Sequence, residues 1–478
     1  MRREEVEAVA VAGGEPAGRL VLALLDEVVA LRERVEELER RVGRNSGNSD
    51  MPPSSDPPKS RAERRRAARE AYKRSMRKSG GQPGHQGKAR ELVAPERLDD
   101  RFEHLPDACD CGHVFDGSEE RVGDPVVHQQ YELPVIVPLV FEHARVRLLC
   151  PACQKATLAG LSAGALSGFG PRVDAHIAVL AGVFRLSRDQ VREIVVEVFG
   201  IPACKGSIDN AIMRMSAVMA DPWAELRDAI HRARAVHMDE TTWRLRGAQQ
   251  WLWVAASALV ACFRIDPTRS QRAAKALLGE EFGGFVISDR YTGYHFLDVL
   301  QQQLCWCHVI RQLVEVSQRS GAAGRRGTQL VKLAREVIAV HREFLAASHD
   351  ADWLSSKLAP LRAQIHSLLE QCAAGDHTKT ANFAAGLLEE YDALWTFCDV
   401  PDLQIDPTNN AAERAVRHAV LMRKLQGGTQ SDRGSRWIER IQSIRETCRL
   451  QHRSPLTYLT DAATAAHHRL PVPSLVPT

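Results

Sequence analysis

Two short apolar runs that each end in an aspartate decide the fold: Ala235-Val236-His237-Met238-Asp239 and Phe285-Val286-Ile287-Ser288-Asp289. Short runs of this composition are typical of buried strands. A glutamate follows far downstream, in Asn409-Asn410-Ala411-Ala412-Glu413-Arg414. Three carboxylates brought together could hold two Mg²⁺ ions, because this ion prefers oxygen ligands. Such a pair supplies the activated nucleophile and the stabilised leaving oxygen that phosphodiester chemistry needs.

The residues around these aspartates predict a mixed sheet. Strand-like patterns cover residues 236–239, 251–257, 260–265, 285–289 and 304–307, with a helix near 271–278. From residue 311 to about 398 the periodicity is helical, and a last helical segment covers 411 to about 466. Glu413 can join the sheet only if the helical block is an insertion. The fold class is therefore multidomain α/β: a mixed sheet with helices and a helical insertion.

Each acid also has a structural explanation. Asp239 and Asp289 could be turn residues at strand ends. Glu413 stands three residues after Asn410, where a capping box places a glutamate. Glu240 and Asp406 are close enough in sequence to compete as ligands.

Positive charge is concentrated near the amino terminus. The 478 residues carry 63 basic and 60 acidic side chains, but residues 59–90 alone hold twelve basic and two acidic ones. That segment has a net charge of +10, which leaves −7 for the rest of the chain. Such segregation predicts an arm that follows DNA, and the alternative is a solvated linker. The candidate DNA-binding residues of the arm are Lys59, Arg64, Arg65 and Arg66.

A short coiled coil is predicted within residues 1–44. Apolar residues alternate spacings of four and three over about three heptads, which favours self-association into a homo-oligomer; they are Leu24, Val28, Leu31, Val35, Leu38 and Val42. The alternative is an amphipathic helix docked on the protein's own body. Residues 45–100, rich in turn formers and then in basic residues, predict a disordered linker.

Four cysteines in residues 101–160 predict a zinc-ribbon-like domain. Two knuckles, Cys109/Cys111 and Cys150/Cys153, flank an alternating segment, 126–149, that predicts a hairpin. The first knuckle is one residue short of the usual spacing, which makes His113 a possible substitute ligand for Zn²⁺. The alternative is a ribbon that folds without metal.

Residues 170–230 predict a helix-turn-helix. One helix begins after Ser187, and a break at 199–202 precedes a second helix. The second helix would present four polar residues to a major groove, namely Lys205, Ser207, Asn210 and Arg214. An ordinary helical hairpin is the alternative.

Cysteine usage and the amino terminus predict an intracellular protein. Eleven cysteines without a secretory leader are typical of a reducing compartment. The amino terminus is too acidic for a signal peptide, and no run of eighteen apolar residues predicts a membrane span.

Taken in order, the motifs resemble those of the transposases of the insertion-sequence sixty-six (IS66) family, a branch of the DDE transposases. The resemblance extends over nearly the whole chain and includes the cysteine knuckles together with the segments at 45–56, 80–87, 237–241, 288–294, 305–308 and 409–414. It implies an RNase H-like catalytic core in two parts, 231–309 and 401–478, around a helical insertion at 310–400. It also implies that Asp239, Asp289 and Glu413 bind two Mg²⁺ ions, for which Mn²⁺ is expected to substitute.

The resemblance implies strand cleavage and strand transfer on an insertion sequence. The expected partners are DNA, as terminal inverted repeats and as target, and companion proteins of the same element; the expected location is the bacterial cytoplasm, in association with the nucleoid. Cys305 and His308 are expected to support the active site through a structural role rather than by binding metal. The alternative is a buried strand end followed by the start of a helix. Arg414 and Arg417, with Arg423 and Lys424, are candidates for binding phosphates, although helix charges often only face solvent. The rival functions are a DNA-binding protein that has lost catalysis and a metal-dependent nuclease that does not join DNA.

Overall fold

The computed structural model describes residues 27, 28, 31, 34, 35, 66, 90–161, 165 and 167–477. Most of the predicted coiled coil and of the basic arm, including Lys59, Arg64 and Arg65, lies outside these residues. The five described residues of the predicted coiled coil are helical, and Val28, Leu31 and Val35 among them are exposed. The chain forms two compact units, residues 57–137 and the remainder.

The smaller unit contains the first cysteine knuckle. A bridge between Ala108 and Val114 closes the turn, and the Cys109 amide donates to the carbonyl of His113 at 2.8 Å. Elsewhere in this unit the Gln129 side chain makes two hydrogen bonds to the backbone of Val93. A 3-10 turn covers Pro95–Arg97.

The second knuckle lies in the larger unit, at the turn of a short hairpin. Strands β1 (Arg147–Leu149) and β2 (Ala156–Leu158) pair antiparallel, and the Cys150 amide donates to the Lys155 carbonyl at 2.8 Å. The predicted hairpin at 126–149 is therefore wrong. Residues 126–146 are not part of any strand. Only the last three residues of the predicted hairpin, 147–149, form a strand, and they pair with residues 156–158, which lie beyond the knuckle.

Between residues 167 and 234, four α-helices precede the main sheet. Ser187 caps the second of them, as the sequence predicts, and the structure adds a capping box in which Gln190 bonds back to the Ser187 amide. A π-helical segment, Val179–Val183, continues the first. The helices are α1 (Pro171–Ala178), α2 (Arg188–Glu197), α3 (Lys205–Val218) and α4 (Ala220–His231).

A five-stranded mixed sheet forms the centre of the larger unit. Its strand order is β5-β4-β3-β6-β7, with β3 parallel to β6 and β6 parallel to β7, and with the other two pairs antiparallel. Helix α5 (Gln271–Leu278) connects β5 to β6. The strands are β3 (Ala235–Leu245), β4 (Ala248–Ala256), β5 (Ala261–Asp266), β6 (Phe285–Ser288) and β7 (Gln302–Leu304).

The predicted strand at 304–307 is wrong in its bounds. The strand is Gln302–Leu304, and Cys305 is the N-cap of helix α6 (Trp306–Ser317). Periodicity could not separate a three-residue strand from the apolar start of a helix. Three more helices follow and form the predicted helical block, α7 (Gly321–Ala347), α8 (Ala351–Ala373) and α9 (Thr378–Glu389), and a short helical turn covers Thr396–Asp399.

The chain then returns to the sheet with α10 (Asn410–Gln426), α11 (Asp432–Leu450) and α12 (Pro455–His467). The segment after α10 pairs with the end of β3 in a parallel bridge, since the amide of Thr429 donates to the Arg244 carbonyl at 2.8 Å. One apolar core joins the sheet to α1–α5 and α10–α12. A second core fills the helical block and meets the sheet at Ile287 and Leu304.

In the part of the chain that the structure describes, no helix is both long enough and apolar enough to span a membrane.

Candidate active site

The two aspartates lie on neighbouring parallel strands at the same level. The β3–β6 register pairs Ala235 with Phe285 and His237 with Ile287. Continuing that register by two residues brings Asp239 opposite Asp289, which follows the last residue of β6. Neighbouring strands are about 4.8 Å apart and residues two positions apart share a face, so both carboxylates start from one face of the sheet.

That face is the one covered by α10. Residues on the Asp239 side of β3 contact α10 or its flanks: His237 contacts Asn409, the Arg423 guanidinium donates to Thr241 Oγ1, and Trp243 Nε1 donates to Thr429 Oγ1. Glu413 lies in the first turn of this helix. The return of the chain after the helical block therefore brings Glu413 to the face that carries Asp239.

Asn409, the residue before α10, connects the three segments of the site. Its side-chain amide donates to the Met238 carbonyl at 2.5 Å, and its backbone amide donates to Cys305 Sγ at 3.1 Å. Its Oδ1 lies 3.3 Å from Nδ1 of His237. Asn409 is 1 % exposed, so these bonds form away from competing water and fix α10 against β3 and against the start of α6.

Burial and neighbouring negative charges raise the pKa of Asp239 well above its usual value. Burial contributes most, followed by the carboxylates of Glu240 and Asp289, and the carboxylate of Glu413 adds to them. The hydrogen bond from the Glu240 amide opposes the shift. Four acids thus interact electrostatically at one place, an arrangement that favours a bound cation or a proton.

Glu413 is the least satisfied acid of this group. Its Oε1 is buried and accepts no hydrogen bond among the described residues. The closest basic groups are the His308 imidazole, with Nε2 at 3.7 Å, and the Arg311 guanidinium, with Nη2 at 3.9 Å, both beyond hydrogen-bonding distance. About one third of the side chain is exposed, so the site is open to an incoming ligand.

Cys305 and His308 lie beside Glu413, at the start of α6. One ligand atom from each of the three residues falls within 4.8 Å of the other two. Cys305 also shares a thiol hydrogen bond with Cys307, which raises the pKa of Cys305 and lowers that of Cys307 to about 7.

The two acids that the sequence offers as competing ligands are already hydrogen-bonded to other residues. Glu240 is held by Arg269 at 2.7 Å and by the Tyr294 hydroxyl at 2.8 Å, and burial raises its pKa. Asp406 accepts the amide and the hydroxyl of Thr408, both at 2.7 Å, and so shapes the turn before Asn409.

The basic residues of α10 fall into two groups. Arg414 and Arg417 are exposed, as is Lys424. Arg423 instead points to β3, where its guanidinium donates to the carbonyl and the hydroxyl of Thr242. The first group is free to meet a phosphate, whereas Arg423 connects helix to sheet.

The predicted groove-reading residues lie on α3. Lys205 and Asn210 are exposed, and Lys205 forms an ion pair with Asp189 at 2.8 Å. The Ser207 hydroxyl donates to the Cys204 carbonyl within the helix cap. Arg214 makes two hydrogen bonds to the buried carboxylate of Asp174, whose pKa burial raises and Arg214 lowers.

The two cysteine knuckles belong to different units of the chain, Cys109 and Cys111 to the smaller unit and Cys150 and Cys153 to the larger one. Within the first knuckle, the His113 amide and Cys109 lower the pKa of Cys111. Within the second, backbone amides of Cys153 and Ala152 lower the pKa of Cys150. Both effects favour thiolates, the form that binds Zn²⁺.

Sequence reasoning gave no role to Asn409 or to the Arg269–Glu240–Tyr294 cluster. Asn409 does stand in the quoted motif that contains Glu413, so its position was visible, but its partners are more than 100 residues away in the chain. The bonds to Glu240 likewise come from residues 29 and 54 positions away.

Two family models match the chain. The Transposase IS66 family matches residues 167–436, and a family of unknown function (DUF6444) matches residues 5–91. The uncharacterized protein y4hP of Sinorhizobium fredii is 22% identical over 403 residues, which are 76% of this chain and 71% of that protein. The uncharacterized protein y4qI of the same organism is 25% identical over 270 residues, which are 50% of this chain and 48% of that protein. No solved structure matches.

Proposed function

Because this chain belongs to the Transposase IS66 family, we propose that it cleaves the ends of its own mobile element and joins them to target DNA, with Asp239, Asp289 and Glu413 as the metal-binding residues. The observation that supports this most is the register of β3 and β6. It aligns Asp239 with Asp289 on the face that α10 covers with Glu413.

The residues suit divalent cations. Several carboxylates interact closely enough to raise the pKa of Asp239, and Glu413 presents a buried oxygen without a hydrogen-bond donor among the described residues. Oxygen-only ligands of this kind fit Mg²⁺, with Mn²⁺ as a substitute. When bound, two such ions activate an oxygen nucleophile and stabilise the leaving oxygen.

The protein's own residues orient the three acids. Asn409 fixes the start of α10 against β3, which sets the position of Glu413 relative to Asp239. The exposed guanidinium groups of Arg414 and Arg417 follow on the same helix and bind backbone phosphates of the DNA near the acids. Arg423 does not take part in this contact, because Thr242 holds it.

The five-stranded mixed sheet is, in this proposal, an RNase H-like core with the helical block as its insertion. The strand order and the acids on adjacent strands support it. The helices α2 and α3 form the DNA-reading pair through Lys205, Ser207 and Asn210, and Arg214 positions α3 through Asp174. The basic arm follows DNA, and the heptads assemble a homo-oligomer. Companion proteins of the element complete the assembly.

Strand-transfer assays test the proposal. Purified protein is incubated with Mg²⁺, DNA bearing the terminal repeats and target DNA, and cleaved and joined products are resolved. Asp239→Asn, Asp289→Asn and Glu413→Gln are each expected to reduce the rate at least about 1,000-fold while DNA binding remains, because each removes a ligand from the reacting centre. Glu280→Gln, at an exposed acid of the same unit, is the control.

Pre-cut ends with free 3′-hydroxyls distinguish the rivals. A transposase joins them to target DNA, whereas a nuclease leaves them unjoined. If all three substitutions leave the rates of cleavage and joining unaltered, these acids are not the metal-binding residues.

A further inference from the structure

A second kind of metal site lies next to the three acids. Cys305, His308 and Glu413 place a sulfur, a nitrogen and an oxygen within 4.8 Å of one another. A tetrahedral zinc site has ligand bonds of about 2.0–2.3 Å and therefore ligand–ligand distances of about 3.3–3.8 Å. His308 and Glu413 are already 3.7 Å apart, so only small side-chain rotations separate this cluster from that geometry.

Two atoms of the cluster lack partners. His308 Nδ1 and Glu413 Oε1 are both buried without a hydrogen bond to any described residue. Burying unpaired polar atoms costs free energy, and a cation bound between His308 and Glu413 would offset that cost for the carboxylate. Arg311 lies 3.9 Å from Glu413, so the cation would either displace Arg311 or share the Glu413 carboxylate with it.

Cys305 is held in place by backbone contacts at the start of α6. Its sulfur accepts the Asn409 amide at 3.1 Å, and the residue is the N-cap of α6, at the positive end of the helix dipole. Cys305 is buried, unlike the exposed cysteines Cys109, Cys111, Cys153 and Cys204. A thiolate, an imidazole and a carboxylate select borderline ions such as Zn²⁺, whereas Mg²⁺ takes only oxygen ligands here.

We propose that Cys305, His308 and Glu413 form a Zn²⁺ site that shares Glu413 with the acids assigned to Mg²⁺. Zn²⁺ in this site draws Glu413 towards α6 and away from Asp239 and Asp289. Zn²⁺ then inhibits strand cleavage even when Mg²⁺ is abundant. Metal binding depends only on the three named side chains, while the inhibitory effect rests on the proposed function.

Cobalt binding tests the site itself. Full-length protein is titrated with Co²⁺ after four cysteines are replaced by serine, namely Cys109, Cys111, Cys150 and Cys153. These replacements remove any cobalt absorption that the knuckles would contribute. A thiolate-to-cobalt charge-transfer band in the near ultraviolet is expected. Cys305→Ser should abolish it, and Glu413→Gln should weaken Co²⁺ binding by more than the roughly 10- to 100-fold typical of an outer-sphere change.

Cys372→Ser is the matched control, because Cys372 is also a buried thiol but lies in α8. It should keep the band. Thermal melts of each variant exclude unfolding as the cause of a lost signal. A band that persists in Cys305→Ser, or no band in the protein that keeps Cys305, overturns the proposal.

Zinc inhibition is the second measurement. Strand cleavage at saturating Mg²⁺ is followed while Zn²⁺ is added, and the half-inhibiting Zn²⁺ concentration should rise at least about tenfold in Cys305→Ser relative to Cys372→Ser. Equal values in the two variants contradict the inhibitory role. If Co²⁺ binds as expected and no variant cleaves DNA, the metal site stands and the proposed function fails.

Discussion

At the scale of single residues, Asn409 connects parts of the chain that the sequence keeps far apart. It bonds to Met238, next to one proposed catalytic acid, and stands four residues before another. It also contacts Cys305 at the start of α6. One amide side chain therefore fixes the start of α10 relative to β3.

Asn409→Ala should lower stability and activity together. It leaves the Met238 carbonyl unpaired, which costs about 1–3 kcal/mol. The rate of strand cleavage should fall at least about tenfold with little change in DNA affinity, since a misplaced Glu413 affects the reaction and not the grip on DNA. Asn410→Ala, one residue further on, is the control, and the two are compared by denaturant unfolding and by single-turnover cleavage. Equal rates in both variants would show that Asn409 is only structural.

His418 gives a pH dependence of stability. It is buried in α10 between Gln442 Oε1 and the Val183 carbonyl, each at 2.8 Å. Burial, with a contribution from Arg445, lowers its pKa to about 4 from the ordinary 6.5. The unfolded chain therefore binds this proton more readily, and stability falls as pH drops from about 6.5 towards 4.

The expected loss from His418 between pH 7 and pH 5 is about 1–2 kcal/mol, at 1.36 kcal/mol per pKa unit. Chemical denaturation at both pH values measures it. His418→Gln should lose that much less stability on acidification than the wild type, while His468→Gln, at an exposed position, should match the wild type. An unaltered pH dependence in His418→Gln would contradict the assignment.

At the scale of elements, helix α11 protects the open edge of the sheet. The amides of Ala261, Phe263 and Ile265 on β5 donate to side chains of Thr447, Ser443 and Glu439. Two residues of a strand cover about 6.7 Å and four residues of a helix about 6 Å, so the two repeats match. Unpaired edge amides would otherwise invite another strand.

Ser443→Ala tests this edge protection. It leaves the buried Phe263 amide unpaired and should cost about 1–3 kcal/mol of unfolding free energy, measured by denaturant titration. Ser356→Ala removes an exposed helical hydroxyl that donates to the carbonyl of Trp353 in its own helix, and should cost much less. Similar losses for the two variants would show that the edge contact contributes little.

At the scale of the whole molecule, charge and chemistry are divided between regions. The arm at 59–90 has a net charge of +10, while the rest of the chain, which includes the proposed catalytic acids, has a net charge of −7. An acidic body repels DNA at long range, so a basic arm has to supply the attraction.

Deleting residues 59–90 should weaken DNA binding and make it less dependent on salt. Every phosphate that the protein no longer neutralises reduces the slope of log affinity against log salt by about 0.9. Binding isotherms at several salt concentrations measure the slope. Deleting residues 45–56, which carry no such excess of positive charge, is the control. An unaltered slope after the arm is removed would mean that it does not contact DNA.

The sequence by itself determined the local elements and the family. Short apolar runs predicted strands near 236–239 and 285–289, and the Ser187 cap predicted the start of α2, because these depend on neighbouring residues alone. The ordered motifs predicted the IS66 family, which the family match over residues 167–436 confirms. The predicted hairpin at 126–149 and the bounds of the strand at 304–307 were wrong, because pairing partners are not visible in a local pattern.

Only the tertiary structure decided which residues of the candidate site lie next to one another. The β3–β6 register, the return of α10 across a block of more than 90 residues and the contacts of Asn409 bring Asp239, Asp289 and Glu413 to one face of the sheet. The same folding sets Cys305 and His308 beside Glu413 and engages Arg423 and Arg214 internally. These relations depend on packing between residues distant in the chain, and no local periodicity encodes them.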